Sequence, residues 1–455
     1  MFCTFALRMK RDAIDFENGE VMGLFWRLLL PTLFGTLSIA LVTMADGIFI
    51  GRGVGADGVA AVNIVVPIFQ IVSGVGLMIG AGCSVAASIQ YSQQNVKVAR
   101  YHVTQAIVLS TIFMTLLCGT MLVFPERTAL ILGSSETLMP QVTGYLKYIL
   151  PCFIFEMWSM IGLFIIRLDG APKFAMWCNV LPGLLNVVLD WLFIFPLGLG
   201  VEGAAIATSI SISIGGFMAL GYLLFKAKDL GLIRLKISTK SLALSLRNVG
   251  YHCRIGSSTL LAELALAVMF YIGNKVFMHY IGDTGVGAYG IACYYMPFFF
   301  MVGNAIAQSA QPIISYNYGA ARWDKIVQAR RLLLGTCIGF GLAVGALFAL
   351  LPKGLVGLFI DTGSEAATIA IKGFPLLAVG ILFFILNVAI IGYYQSVERV
   401  GKATFFVFLR GLIFIAPAFM LLPRFLGAEG IWLAMPISEI LTTCVILADR
   451  LKKAL

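Results

Sequence analysis

The chain has 455 residues, 60% of them hydrophobic and 12% charged, and its mean hydropathy is +0.95. A water-soluble domain could not bury so much apolar surface, so the composition excludes a soluble globular protein and indicates one that is solvated by lipid. The formal net charge of +10 would suit a nucleic-acid partner. The cations are grouped at the ends of apolar segments, however, so we expect topology signals and lipid contacts and no nucleic-acid surface.

Long apolar segments run through the whole chain and are separated by charged or turn-rich breaks. A helix that crosses a bilayer needs about 20 apolar residues. The breaks leave room for twelve such helices, which predicts an all-α integral membrane protein. In chain order, the predicted spans are 24–50, 58–88, 103–124, 138–166, 174–196, 203–225, 251–278, 286–313, 331–351, 368–396, 403–423 and 428–449.

Lysine and arginine are divided unevenly between the two sides that these spans define. Twenty-three lie on the side of the termini and only five on the other. The positive-inside rule therefore predicts that both termini are cytoplasmic. The majority side includes Arg8, Lys10 and Arg11 before the first span and Lys452 and Lys453 at the end. The first twenty residues are charged and lack an apolar core, so no cleavable signal peptide is expected.

The first predicted span carries a proline and a carboxylate, Pro31 and Asp46. Most intramembrane prolines are explained by their general tolerance in membrane helices, but for Pro31 we predict a helix that bends when the protein changes conformation. Asp46 lies 22 residues (46 minus 24) beyond the cytoplasmic end of the span. That is about 33 Å along the helix, in the outer leaflet. Alternatively, it lies near enough to the span end to be solvated and to cap the helix.

Three more polar residues fall at a similar depth in spans 5 and 6, namely Asn186, Asp190 and Thr208. Asn186 and Asp190 are four residues apart and share a helix face. Ionisable groups at membrane depth are functional candidates by default. Together with Asp46 these residues predict a site for a coupling ion. Two carboxylates with neutral oxygens suit a hard cation such as Na⁺, whereas a buried carboxyl could instead carry a proton.

Other ionisable residues also fall inside predicted spans. Glu263 lies 12 residues into span 7, at mid-membrane. It is a candidate for binding a cationic substrate or a second cation, or else for pairing with a buried cation such as Arg410. Arg410 itself could snorkel towards the interface. For Glu156 and Glu439, functional and structural pairing roles both remain open.

No cofactor and no metal other than Na⁺ is expected. The nine cysteines are scattered without paired metal-binding spacing, and the three histidines lie near span ends. Such cysteines behave as reduced small hydrophobic residues.

Two turn sequences repeat along the chain. Pro196, Gly200, Glu202 and Gly203 recur 227 residues later, as Pro423, Gly427, Glu429 and Gly430. Gly55-Ala-Asp-Gly58-Val59-Ala-Ala61 recurs at the same offset as Gly282-Asp-Thr-Gly285-Val286-Gly-Ala288. This offset is half the chain, which predicts a duplication. Six spans in each copy make the copies parallel, related by a pseudo-two-fold axis along the membrane normal. We therefore divide the chain into an N-terminal lobe 1–225, a cytoplasmic linker 226–250 and a C-terminal lobe 251–455.

The duplication leaves the acidic cluster in one copy. At the 227-residue offset, Asp46, Asn186, Asp190 and Thr208 correspond to Gly273, Ile413, Pro417 and Met435. The second copy has lost the carboxylates and kept the turns, so we expect an asymmetric ion site in the first lobe.

Several motifs resemble the MATE (multidrug and toxin extrusion) family, over about residues 20–450, with a bacterial branch of multidrug exporters as the best match. They are Pro31 with Asp46-Gly-Ile-Phe-Ile-Gly51 and Val54-Gly55, Ser88-Ile-Gln90-Tyr91, Arg167-Leu-Asp169-Gly170-Ala-Pro172-Lys173, Asn186-x3-Asp190, Gly200-x2-Gly203-Ala-Ala-Ile-Ala-Thr208, and Gln311-Pro312 through Asn317-Tyr318-Gly319-Ala320. Their order and spacing together carry the resemblance.

The resemblance implies two six-helix lobes in a V shape that alternate between outward- and inward-open states. It implies a monomer in the bacterial inner membrane that exports cationic amphipathic drugs in exchange for Na⁺ or H⁺. It assigns the ion site to Asp46, Asn186, Asp190 and Thr208, the span 1 bend to Pro31, and a cation-binding acid to Glu263. Span 10 departs from the family pattern, because it has Asn387 but no carboxylate.

Rival functions are less well supported. A lipid-linked precursor flippase of the same superfamily would need a cavity rich in Arg and Lys, and Arg410 is essentially the one mid-membrane cation. A membrane enzyme would need a cluster of catalytic residues at one interface, and the sequence contains none. A passive channel is disfavoured by the kinked, duplicated halves.

Overall fold

A computed structural model describes residues 14–54, 56–132, 134, 136, 138–236, 238–360 and 362–451. These residues form helices and connecting segments, with no strand among them. Of the residues discussed above, Arg8, Lys10, Arg11, Gly55, Lys452 and Lys453 lie outside the described part of the chain.

The first half of the chain contains seven described helices. They are α1 (Val21–Gly53), α2 (Ala56–Ser92), α3 (Val96–Val123), the short α4 (Pro125–Ile131), α5 (Met139–Leu168), α6 (Pro172–Ile194) and α7 (Gly200–Gly221), which continues into a π-helical turn at Tyr222–Lys226.

The second half repeats this order. Its described helices are α8 (Thr239–Tyr280), α9 (Asp283–Gly319), α10 (Trp323–Leu350), the short α11 (Pro352–Gly357), α12 (Glu365–Ser396), α13 (Val400–Phe408), a π-helical turn at Leu409–Ile413, and α14 (Ile415–Leu451).

Corresponding helices keep the offset seen in the turns. Helices α2 and α9 start 227 residues apart (56 and 283) and end 227 apart (92 and 319). Helices α3 and α10 do the same, from 96 and 323 to 123 and 350. The predicted duplication therefore covers whole elements and their boundaries.

The repeated turn has a backbone reason. Gly200, the first residue of α7, has φ of +57°, and Gly427, at a non-helical position inside α14, has φ of +60°. This left-handed conformation is readily adopted only by glycine, so both copies keep glycine at this position.

Eleven helical stretches of the described residues are long and apolar enough to cross a membrane. The last, Val400–Asp449, has 50 residues. It contains Gly427, whose ψ of −139° is not helical. This break separates predicted span 11 (403–423) from predicted span 12 (428–449), so the multi-pass, all-helical fold agrees with the sequence.

The described chain divides into two compact units. The first takes in the chain up to Gly256 together with Ser315–Trp323, and the second takes in Ser257–Ile314 and the chain from Asp324. The division falls inside α8, later than the linker 226–250. The reason is close packing within the first unit. Gly82 lies against the backbone of His252, and Gly256 lies against the backbone of Met78, so neither glycine has room for a side chain.

The connection between the copies is held by hydrogen bonds to the first unit. Asp169 accepts hydrogen bonds from three successive backbone N–H groups of Lys228, Asp229 and Leu230 at 3.0, 3.0 and 3.1 Å. Arg100 Nε donates to the carbonyl oxygen of Gly231 at 2.8 Å. Helix α8 then begins at Thr239, twelve residues before the predicted start of span 7 at 251.

Candidate functional site

Helices α1 and α6 pack along a row of small residues in the first unit. The paired positions are Gly35 with Asn179, Val42 with Gly183 and Gly53 with Ile194. The residue numbers of successive contacts increase along both helices, so the two helices run parallel. The stretch between the last two contacts carries Asp46 on α1 and Asp190 on α6.

These two carboxyl groups lie close enough to each other to interact electrostatically. Two carboxylate oxygens cannot form a hydrogen bond unless one of them carries a proton, because an ionised carboxylate only accepts. Asp190 is completely buried and Asp46 is half-buried. The pair therefore needs either a shared proton or a bound cation to avoid like-charge repulsion.

Asn186 and Thr208 form the neutral part of the same cluster. Asn186 is one helical turn before Asp190 on α6 and is 5% exposed. Its Nδ2 donates a 3.3 Å hydrogen bond to Oγ1 of Thr208 on α7. The structure thus joins α6 to α7 here, and joins α1 to α6 through the carboxyl pair. All four residues predicted to converge belong to these three helices.

Tyr145 is a further residue of this cluster that the sequence did not single out. It lies on α5, is 4% exposed, and is close enough to interact electrostatically with Asp46 and Asp190. Tyrosine is common in apolar helices, so only its depth in the second turn of α5 could have pointed to it.

Three oxygens of the carboxyl pair remain available. Apart from each other, Oδ1 of Asp46 and both carboxyl oxygens of Asp190 have no hydrogen-bond donor among the residues that the structure describes. Buried acceptors without donors are rare in folded proteins. Oxygen acceptors are also the ligands that a hard cation requires, so this donor set fits Na⁺ as well as a proton.

Pro31 lies on α1, fifteen residues (46 minus 31) before Asp46 and about 22 Å from it along the helix. The helix continues through it from Val21 to Gly53. Because proline has no N–H, the carbonyl oxygen of Arg27 loses its usual helical donor. A role for Pro31 in bending stays a prediction.

The acidic residues of the second unit are arranged differently. Arg410 pairs with Glu439, with Nη2 2.7 Å from Oε1. The sequence leaves Glu263 as a possible partner of Arg410, and the structure pairs Arg410 with Glu439 instead. Glu263 makes no ion pair among the described residues and stays a candidate for cation binding. Its depth matched that of Glu439, so sequence alone could not choose between the two acids.

Glu156 has a partner within the first unit. Ser73 Oγ on α2 donates a 3.2 Å hydrogen bond to Oε1 of Glu156 on α5. A second contact, between His102 Nδ1 and His252 Nε2 at 2.9 Å, joins α3 to α8. Neither pair was predicted, because their members lie 83 and 150 residues apart.

A family model described as MatE matches the chain twice, over residues 31–192 and 259–420. The second match starts 228 residues after the first (259 minus 31), in agreement with the duplication.

Two curated relatives match over nearly the whole chain. The multidrug export protein MepA of Staphylococcus aureus is 24% identical over 439 residues, which cover 93% of this chain and 92% of MepA. The FAD transporter of Shewanella oneidensis is 24% identical over 435 residues, 93% of each chain. The fold is also similar to that of a Vibrio cholerae MATE transporter, with a TM-score of 0.87 at 20% identity, covering 95% of this chain and 97% of that chain.

Proposed function

The chain belongs to the MatE family, the multidrug and toxin extrusion transporters, and we propose that it exports cationic amphipathic compounds in exchange for Na⁺ or H⁺. Members of this family are transporters, so the chain is a transporter and not an enzyme. Alternating access, in which the substrate site opens to one side of the membrane at a time, is the mechanism we propose for the exchange.

One observation carries the ion-coupling proposal, the pair of carboxyl groups Asp46 and Asp190. Asp190 is fully buried and Asp46 half-buried, and three of their four carboxyl oxygens lack donors among the described residues. A cation or a proton bound there removes the repulsion between the two acids. Entry and release of that ion would then favour different states of the protein, which is what coupling requires.

Asn186 and Thr208 have the supporting role in this proposal. Because the amide nitrogen of Asn186 donates to Thr208, its carbonyl oxygen is directed away from that hydroxyl and is free to face an ion. Pro31 is proposed as the bend of α1, which carries Asp46. Glu263 is proposed as a contact for a cationic substrate or a second cation.

A cationic substrate is favoured by the charges of the second unit. Arg410 is neutralised by Glu439, so this buried cation is not free to hold a pyrophosphate. That argues against a lipid-linked precursor. The relative named as a FAD transporter makes flavin dinucleotide the second candidate, since it is as similar to this chain as MepA is.

We further propose that the protein is a monomer in the bacterial inner membrane, with both termini and the 226–250 linker in the cytoplasm. The distribution of lysine and arginine supports this orientation. In a variant whose nine native cysteines are replaced by serine or alanine, a single cysteine placed in the linker or at exposed Leu197 can be labelled with a membrane-impermeant maleimide. Labelling of the linker cysteine from outside the cell would contradict the orientation.

The test of function is substrate efflux in everted vesicles, with a Na⁺ gradient and a pH gradient imposed separately. Ethidium is the cationic probe and FAD the anionic one. Ethidium movement driven by one of the two gradients is expected, and D46N and D190N should lose it. E126Q, which removes an exposed carboxylate of the same half, is the control that should keep it. If neither gradient drives ethidium or FAD, ion-coupled export is wrong; gradient-driven movement of FAD alone would select the second candidate.

A further inference from the structure

A buried ion pair forms part of the wall of a cleft in the second unit. Arg410 and Glu439 have side chains that are 5% and 3% exposed. The other cleft-lining residues are apolar, namely Ala262, Ala265, Leu266, Met269, Phe300 and Phe384, with Gly411. Apolar residues usually stabilise such a place at least as well as an ion pair does, so stability alone does not explain why charges are found here.

The guanidinium group of Arg410 lies in a setting that suits planar organic cations in general. Its central carbon is 4.3 Å from the centroid of the Phe384 ring, which gives a cation–π interaction. Nε and Nη2 donate to Oε1 of Glu439 at 2.9 and 2.7 Å. An aromatic face, a carboxylate edge and apolar walls are therefore all in place.

Glu439 is held in position independently of Arg410. Nδ2 of Asn387 donates to Oε2 of Glu439 at 2.8 Å and to its backbone oxygen at 2.9 Å. Thr443 fixes Asn387 in turn, by donating to its Oδ1 at 2.9 Å. The carboxylate would therefore keep its position if the guanidinium group moved away.

We infer that this cleft is a binding site for planar organic monocations of the guanidinium and amidinium class, and that Arg410 is a tethered occupant which the ligand displaces. The inference rests on the proposed export of cations and adds a substrate class and a location. It is specific to the second copy, since Arg410 and Glu439 correspond to Gly183 and Ile212 at the 227-residue offset.

Truncation of Arg410 gives a direct test, because it removes the tethered cation and leaves Glu439 and Phe384. The experiment uses the full-length protein in detergent without any ion gradient and follows its melting temperature. N-ethylguanidinium, which reproduces the lost side-chain end, is titrated into wild type and R410A. N-ethylurea is the neutral compound of the same shape.

We expect a saturable stabilisation of R410A by ethylguanidinium, and of the wild type at concentrations at least about tenfold higher, because there the cation must first displace Arg410. A wild type without any saturable response would overturn the displacement. Ethylurea should have no such effect. R410A/E439Q should lose the response, and R410A/F384L should weaken it roughly three- to tenfold. A response of R410A equal to that of wild type or of R410A/E439Q would overturn the inference.

Two additions make the result unambiguous. R410A/D190N should respond as R410A does; loss of the response there would place the cation at the carboxyl pair of the first unit and overturn the inference. If R410A aggregates on extraction, it is extracted again with ethylguanidinium present, and recovery of monodisperse protein is the expected outcome. Equal aggregation with and without the cation would count against the site. Since no gradient is used, failure here leaves the ion-coupled efflux assay to be judged separately.

Discussion

Ser73 on α2 donates a 3.2 Å hydrogen bond to the carboxylate of Glu156 on α5, 83 residues away. Glu156 is 7% exposed and lies among apolar side chains of the first unit. A single donor to a buried carboxyl indicates a structural link between two helices. Substitutions of Glu156 can distinguish a structural role from a role in transport.

E156Q should keep both folding and ion-driven efflux, because the amide oxygen can still accept the hydrogen bond from Ser73. E156A should lower the stability by about 1–3 kcal/mol, because Ser73 loses its acceptor and the side chain leaves a gap. Melting in detergent and efflux from proteoliposomes measure the two effects. Loss of efflux in E156Q with unchanged melting would assign Glu156 to transport instead.

Thr208 tests the neutral part of the ion site. T208S keeps the hydroxyl that accepts from Asn186 and should keep coupled efflux. T208V has the same shape without the acceptor. It should raise the ion concentration needed for half-maximal efflux about fivefold, which corresponds to the loss of one hydrogen bond of about 1 kcal/mol. The measurement is the concentration of Na⁺ or H⁺ that gives half-maximal ethidium efflux. Equal values for the two variants would remove Thr208 from the site.

The repeated glycines predict a matched pair of stability changes. G200A and G427A each force a side chain into the left-handed conformation, at φ of +57° and +60°. Each should destabilise the protein by about 1–2 kcal/mol.

G221A is the control in the same helix as Gly200. Gly221 has an ordinary helical φ of −59°, and nothing lies within 4 Å of an added methyl group. It should be neutral or stabilising by up to about 1 kcal/mol. A loss in G221A as large as in G200A would show that backbone conformation is not the cause.

Because Glu439 and Arg410 form a buried ion pair, we expect the stability effects of substitutions at the two positions to be strongly non-additive. E439Q leaves a buried guanidinium group without its carboxylate and should cost about 3–5 kcal/mol. R410M/E439L replaces both charges by apolar groups and should recover most of that loss. Melting temperatures of R410M, E439L and R410M/E439L, together with that of E439Q, give the comparison. Additive losses would contradict a direct pair.

The hydrogen bonds to Asp169 should protect the backbone N–H groups of residues 228–230 from hydrogen exchange. D169A removes the acceptor for three backbone N–H groups of residues 228–230. Their hydrogen exchange should become at least about fivefold faster. R234A alters an exposed linker residue and is the control. Unchanged exchange at 228–230 in D169A would mean that other contacts hold this segment.

Much of the fold was predictable because its causes are local. Apolar length gives the spans, and the turn around Gly200 and Gly427 gives the duplication. The start of α8 was not predictable in this way. Residues 239–250 are polar enough to lie beyond an apolar span, and a hydropathy pattern does not reveal that the helix extends through them.

The candidate sites also combine features that local spacing predicts with features that depend on tertiary packing. Asn186 and Asp190 share a helix face by their spacing, so that part of the first-unit site follows from the sequence. The choice of Glu439 over Glu263 as the partner of Arg410 depends on how α14 packs against the π-helical turn at Leu409–Ile413. Tertiary packing decides such a pairing, and depth along separate helices cannot.

The repeated helix boundaries also bear on how such a chain could arise. A half-length ancestor that crossed the membrane six times would end on the side where it began. Two tandem copies of its gene would then need only a short connection, such as residues 227–238, and no reversal of insertion. After such a fusion the two copies change independently, and Asp46 and Asp190 of the first copy accordingly correspond to Gly273 and Pro417 of the second.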